Sequence, residues 1–111
     1  MSSYYESDDL KKFGDIGRHA KPLADEFFKY YGRVTGQDGA LTRREKALIA
    51  LAISHSEKCP YCIDAYTTAC LETGSNPEQM AEAVHVAAVM KAGITLAHTI
   101  QMNNQLDKLV L

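Results

Sequence analysis

The chain has 111 residues, of which 46% are hydrophobic and 23% are charged, and its formal net charge is −2. A chain of this length and composition is expected to fold as one globular domain, residues 1–111, with a modest core. Its 12 basic residues do not cluster, which argues against a nucleic-acid partner.

The N-terminal stretch MSSYYESDDL lacks a basic segment followed by an apolar one, so we expect no secretory signal. The longest uninterrupted apolar run, ALIALAI at 47–53, falls well short of the roughly 18 residues that span a bilayer. We therefore expect a cytoplasmic protein with no membrane partner. Cytosolic thiols are kept reduced, so a close cysteine pair there is more often catalytic or metal-binding than a permanent disulfide.

Helical spacing of apolar residues dominates the whole sequence and predicts an all-α helical bundle of five or six helices. The first helix is predicted to begin near Pro22, because proline is favoured in a first helical turn. Its apolar residues recur on one face at Leu23, Phe27, Tyr31 and Val34.

The second helix, LTRREKALIALAISHSEK, follows a predicted loop at 36–40. Thr42 precedes Glu45 by three positions, which is the pattern of a capping box. In that motif each side chain bonds the other residue's backbone, so the sequence predicts a helix start at Thr42.

Three more helices are predicted in the second half of the chain. The third begins near Cys59 or Pro60 and stops at Gly74. The fourth begins after the cap Asn76 and stops at Gly93, and the last is ITLAHTIQMNNQLDKL.

The fourth helix is apolar nearly all round. Between Met80 and Ala92, only Glu82, His85 and Lys91 interrupt a run of alanine, valine and methionine. A helix that is hydrophobic on every face must be covered on every face, which a chain this small cannot do alone. We therefore expect a homo-oligomer.

All three cysteines lie within the segment EKCPYCIDAYTTAC, 57–70. With Pro60 in a first helical turn, Cys59 falls near the N-cap and Cys62 one turn later on the same face. The helix N-terminus favours a thiolate, and this spacing allows a reversible disulfide. A redox pair is favoured over a buried packing pair. A zinc site would need four ligands, and the four histidines lack ligand spacing, so we expect no metal or cofactor. Cys70 is interpreted as a packing residue.

The segment LIALAISHSEKCPYCIDAYT resembles the alkyl hydroperoxidase D-like, or carboxymuconolactone decarboxylase-like, superfamily, and the similarity extends over roughly residues 20–105. Within it, the chain is most similar to the peroxidase-like proteins associated with arsenosugar biosynthesis. The resemblance implies an all-helical fold that assembles as dimers, trimers or hexamers. It also implies that Cys59 and Cys62 reduce a hydroperoxide or disulfide substrate, with electrons from a small dithiol or a protein reductant.

The resemblance further implies a proton relay, but the relay residues differ. The family's active peroxidases carry a glutamate twelve residues before the first cysteine and a histidine four after the second, where this chain has Ala47 and Tyr66. Candidate replacements are Glu45, His55 and Tyr66. Glu45 is also explained by its capping box and His55 by a helix-end position, and a tyrosine with an ordinary pKa of about 10 is a poor base.

Two other functions are compatible with the sequence. The cysteine pair fits a redox sensor or a protein that binds arsenic or another soft ion without turnover. A lactone decarboxylase is the least favoured alternative, because a reactive cysteine pair has no part in that chemistry.

Overall fold

The computed structural model of the chain describes residue 6 and residues 8–110. Five α-helices follow a 3-10 helix at Asp9–Gly17: α1 (Lys21–Thr35), α2 (Arg43–Ser56), α3 (Pro60–Glu72), α4 (Pro77–Ala97) and α5 (Thr99–Leu109). No strand occurs among the described residues, and the predicted all-α fold is confirmed. The prediction of no secretory signal rests on the N-terminal stretch MSSYYESDDL, and most of that stretch lies outside the described residues. Both ends of the predicted 1–111 domain lie outside them as well.

The predicted starts of the first four α-helices are confirmed, whereas the last helix begins at Thr99 rather than at Ile94. At the start of α2, the Thr42 N–H donates to Glu45 Oε1 at 2.8 Å and the Glu45 N–H donates to Thr42 Oγ1 at 3.1 Å. Helix α3 begins at Pro60 with Cys59 as its N-cap, and α4 is capped by Asn76. These local bonds satisfy backbone N–H groups that have no partner inside a helix.

The predicted end of the fourth helix at Gly93 is wrong. Helix α4 continues to Ala97, and α5 starts after a single intervening residue, His98. Gly74, by contrast, has a φ of 97°, the left-handed conformation that ends a helix and favours glycine. A glycine inside a helix costs only about 1 kcal/mol relative to alanine, so Gly93 does not stop α4 among strong helix formers.

The expectation that no apolar segment reaches membrane-spanning length also needs correction. The helical stretch Pro77–Leu109 has 33 residues and is long and apolar enough to cross a membrane by length and composition alone. The uninterrupted apolar runs of the sequence do not show this stretch, because charged residues and the predicted helix end at Gly93 divide it. Its most apolar window has 0% of its residues buried. The stretch therefore leaves a large apolar surface uncovered within one chain.

The interior of the chain lies where α2 packs between α3 and α4. Its buried apolar residues are Ala47 and Leu51 from α2 and Cys70 from α3. Half-buried residues surround this centre: Leu48, Tyr66, Ala69, Met80 and Val84. The packing of α2 on α3 fixes the position of the cysteine pair at the start of α3.

The 3-10 helix packs against both α1 and α3. Phe13 meets the edge of Phe28 on α1 at a ring-centroid distance of 5.5 Å and lies 6.1 Å from the ring of Tyr31. Gly17 is buried, and a Cβ atom at this position would overlap the Cβ of Ala24. Glycine is required here because the two backbones approach closely.

Candidate active site

The cysteine pair occupies the first turn of α3, as predicted. The Cys59 sulfur caps the helix and accepts the Cys62 N–H at 3.4 Å. The two Sγ atoms share a hydrogen bond at 2.7 Å, and neither is oxidised. The turn before them includes Lys58 in the left-handed conformation, with φ at 56°. The two sulfurs therefore need only a small movement to form a disulfide of about 2.05 Å.

The two thiols differ in their electrostatic surroundings. Burial, a hydrogen bond to Cys59 and the charge of Cys59 together raise the pKa of Cys62 to about 11, while a hydrogen bond from Ser54 acts in the opposite direction. Cys62 therefore keeps its proton near neutral pH. The Cys59 sulfur lies at the N-terminal end of α3, where it caps the helix.

The thiols open onto a cavity of about 480 Å³ that lies between α3 and the 3-10 helix. Its lining is mainly apolar and comes from both elements: Lys12, Phe13, Asp15, Ile16, Cys59, Tyr61 and Cys62. The 3-10 helix was not predicted from the sequence, where the charged N-terminal stretch was assigned to no element. This cavity gives a small molecule direct access to both sulfurs.

Tyr66 lies one turn beyond Cys62, and its phenol is hydrogen-bonded to the phenol of Tyr31 on α1. Burial, this hydrogen bond and the charges of Tyr31 and Cys62 raise the pKa of Tyr66 above its usual value. Tyr66 therefore retains its proton and acts as a hydrogen-bond donor rather than a base. Tyr31 was assigned only to an apolar helix face, because no sequence pattern connects residues 35 positions apart.

The other two relay candidates bond elsewhere. The exposed Glu45 carboxylate accepts the Thr42 N–H, and this hydrogen bond is the main cause of its lowered pKa. His55 Nδ1 lies 2.9 Å from the carbonyl oxygen of Leu51, within its own helix. Its side chain lines a small cavity against α4 rather than the cavity at the thiols. The structure thus leaves Glu45 and His55 with other partners. Tyr66 interacts electrostatically with Cys62, but it lines a separate cavity with Tyr31 and Ala47 rather than the cavity at the thiols.

Cys70 is 0% exposed and packs in the core with Ala47 and Leu51, as the packing interpretation expects. Burial raises the pKa of its thiol. Within the described part of the chain, no group of three or more histidine, cysteine, aspartate or glutamate residues is placed to hold a metal ion. Cys59 and Cys62 are the two thiols that line the cavity.

Comparison with known proteins gives a family match and two relatives. The sequence model of the carboxymuconolactone decarboxylase family matches residues 22–102. An uncharacterized protein of the cox locus in Paracoccus denitrificans is 39% identical over 96 residues, which cover 86% of each chain. An uncharacterized protein from Cupriavidus necator is 31% identical over 83 residues, covering 75% of this chain and 73% of the relative. The family match begins after the 3-10 helix.

Proposed function

This chain belongs to the carboxymuconolactone decarboxylase family, and we propose that it is a thiol-dependent hydroperoxide reductase that uses Cys59 and Cys62. The observation that carries the proposal is the geometry of the dithiol. Two reduced sulfurs 2.7 Å apart stand at a helix N-terminus and line an open cavity. Reversible disulfide chemistry needs a nucleophilic thiol, a resolving thiol within reach and access for the substrate.

In the proposed reaction, the Cys59 thiolate attacks the terminal oxygen of a hydroperoxide, ROOH. The O–O bond breaks, the departing alkoxide takes a proton to become ROH, and Cys59 becomes a sulfenic acid. Cys62 then attacks the Cys59 sulfur, and hydroxide leaves with the Cys62 proton as water. The balance is one hydroperoxide and two thiols giving one alcohol, one water and a disulfide. A small dithiol or a protein dithiol returns the pair to its reduced form by exchange.

Tyr66 is the proposed donor group near the departing oxygen. Its raised pKa keeps the phenol protonated, and the charge of Cys62 contributes to that rise, so the two groups interact. Tyr31 acts as a positioning residue through its hydrogen bond to Tyr66. Glu45 and His55 are weaker candidates. The Glu45 carboxylate accepts the Thr42 N–H and His55 Nδ1 bonds the Leu51 carbonyl oxygen, whereas Tyr66 interacts with Cys62.

A steady-state assay of hydroperoxide consumption with dihydrolipoamide as the electron donor tests the function. Wild type should turn over many times, whereas Cys59→Ser and Cys62→Ser should each lose roughly a hundredfold or more, as removal of a nucleophile does elsewhere. Cys70→Ala is the matched control and should retain turnover, because Cys70 lies in the core. Full turnover in either Ser variant would exclude the proposed chemistry.

The dithiol also supports a function without turnover. Two soft sulfurs at this separation fit a redox sensor or a site for arsenic or another soft ion. In that case the pair is oxidised once per chain and the dihydrolipoamide assay shows no cycling. A lactone decarboxylase, the third alternative, would act equally well in both Ser variants.

We also propose that the protein is a cytoplasmic homo-oligomer (a dimer, trimer or hexamer) that binds neither membrane nor nucleic acid. The radius of gyration is 19.0 Å, whereas a compact domain of this size has about 13 Å. The excess comes with exposed apolar side chains along α4 and α5, including Val89, Met90, Ile94 and Ile100. Contacts between copies of this stretch would cover that surface. The cytoplasm is a reducing compartment, in which the thiols would return to their reduced form.

A further inference from the structure

We propose that the 3-10 helix is the specificity wall of the dithiol site, and that Ile16 selects hydroperoxides carrying an apolar organic group. The inference rests on the proposed hydroperoxide reduction and names what sets its substrate preference. It assigns a substrate-binding role to a segment that lies before the family match at 22–102.

The wall is held in place independently of any ligand. Gly17 allows the end of the 3-10 helix to lie against Ala24, where a larger residue would clash. Phe13 is anchored by its edge-to-face contact with Phe28. These two contacts with α1 fix the segment on one side of the cavity while the thiols of α3 form the other.

Ile16 is the side chain of this wall that a ligand would cover. It is 59% exposed although it lines the cavity that holds both sulfurs. An apolar group bound there removes this surface from water, which hydrogen peroxide cannot do.

The first experiment compares kcat/KM for cumene hydroperoxide with kcat/KM for hydrogen peroxide. In Ile16→Ala the ratio of the two values should fall about fivefold, since part of one apolar contact is lost. Leu71→Ala is the matched control, because Leu71 is 53% exposed on the same helix as the thiols and lines none of the cavities described above. An unchanged ratio in Ile16→Ala, or an equal fall in Leu71→Ala, would overturn the proposal.

A second experiment tests the wall without any peroxide. The reduced protein is reacted with N-phenylmaleimide and with N-methylmaleimide, and the ratio of the two rate constants at the cysteine pair is measured. Wild type should favour the phenyl reagent, and Ile16→Ala should lose about fivefold of that preference. If this result holds but no peroxide is consumed, the wall is supported and the peroxidase proposal fails. If peroxide is consumed and neither ratio depends on Ile16, the wall proposal fails alone.

Discussion

Helices α2 and α3 and helices α4 and α5 bury their apolar residues in different ways. Among the described residues, the buried apolar side chains Ala47, Leu51 and Cys70 all belong to α2 and α3. The 21 residues of α4 and the 11 of α5 include no buried residue, although α4 is strongly apolar. Helices α2 and α3 supply the buried side chains, whereas α4 covers them with the half-buried Met80 and Val84 and leaves its other faces exposed.

This difference separates chemistry from assembly. The cysteine pair stands at the start of α3, where packing on α2 and the bonds of the first turn fix both sulfurs. No residue of α4 or α5 lines the cavity at the thiols. In the proposed reaction α3 supplies both thiols, whereas the α4–α5 stretch supplies the surface that a second copy would cover.

The largest expected effect is the loss of assembly when a charge is placed on α4. Met90 is 59% exposed in the single chain, and Met90→Asp would bury an unpaired carboxylate in the proposed interface. Light scattering at micromolar concentration should show an oligomer for wild type and a monomer for the variant. Reduced thiols should still oxidise to one disulfide in both.

Leu71→Asp is the control for this change, because it introduces the same charge at an exposed residue of α3. It should leave the oligomer intact. A monomeric mass for wild type would remove the distinction between the α2–α3 region and the α4–α5 stretch. The same conclusion would follow if Met90→Asp kept the oligomeric mass of wild type.

Local signals in the sequence predicted the part of the fold that depends on neighbouring residues. The caps at Thr42, Asn76 and Cys59 act over three or four positions, so their motifs are visible in the sequence. Gly74 and Gly93 look alike as letters, yet only Gly74 adopts the left-handed backbone that ends a helix. The sequence does not show which glycine ends a helix and which lies inside one that continues.

The candidate site divides in the same manner. The dithiol was predictable because its two members belong to one helical turn. The Tyr31–Tyr66 bond and the wall at Ile16 were not, because they depend on how α1 and the 3-10 helix pack against α3. Contacts between distant elements leave no periodic trace in the chain.

The second prediction concerns the order in which the two thiols react. At pH 8, a thiol with a pKa of about 11, as for Cys62, is ionised in only about one molecule in a thousand. In Cys59→Ser the hydrogen bond and charge of Cys59 are lost, but burial, the largest cause, remains. Iodoacetamide should therefore alkylate Cys62 in the Cys59→Ser variant at least about tenfold more slowly than it alkylates Cys59 in the Cys62→Ser variant, since the thiolate is the reactive form.

The alkylation rate of the Cys59→Ser variant should also depend on pH. A raised pKa moves ionisation to higher pH, so the alkylation rate of Cys59→Ser should still be rising above pH 9. Cys70 is buried and should remain unmodified in the folded protein. Equal alkylation rates for the two variants would show that the first turn of α3 does not distinguish its two sulfurs. Both variants should keep the oligomeric mass that light scattering gives for wild type.

The smallest expected effect concerns the hydrogen bond between the two tyrosines. Tyr66→Phe removes the proposed donor and should slow peroxide consumption about tenfold, whereas Tyr31→Phe should slow it only about threefold, because Tyr66 keeps its own hydroxyl. The bond to Tyr31 contributes to the raised pKa of Tyr66. In Tyr31→Phe that pKa should fall, so the phenol ionises, and activity declines, at a lower pH on the alkaline side.

Tyr30→Phe is the matched control, because Tyr30 is adjacent on α1 and 68% exposed. Rate profiles from pH 6 to 12 would separate positioning from simple destabilisation, since a merely structural role for Tyr31 changes the melting temperature without moving the alkaline limb. An alkaline limb of Tyr31→Phe that coincides with that of Tyr30→Phe removes Tyr31 from the mechanism. If Tyr66→Phe also matches wild type while His55→Ala slows the reaction, the proton comes from His55. The side of α2 facing α4 would then take part in the chemistry, and the division between the two regions would no longer hold.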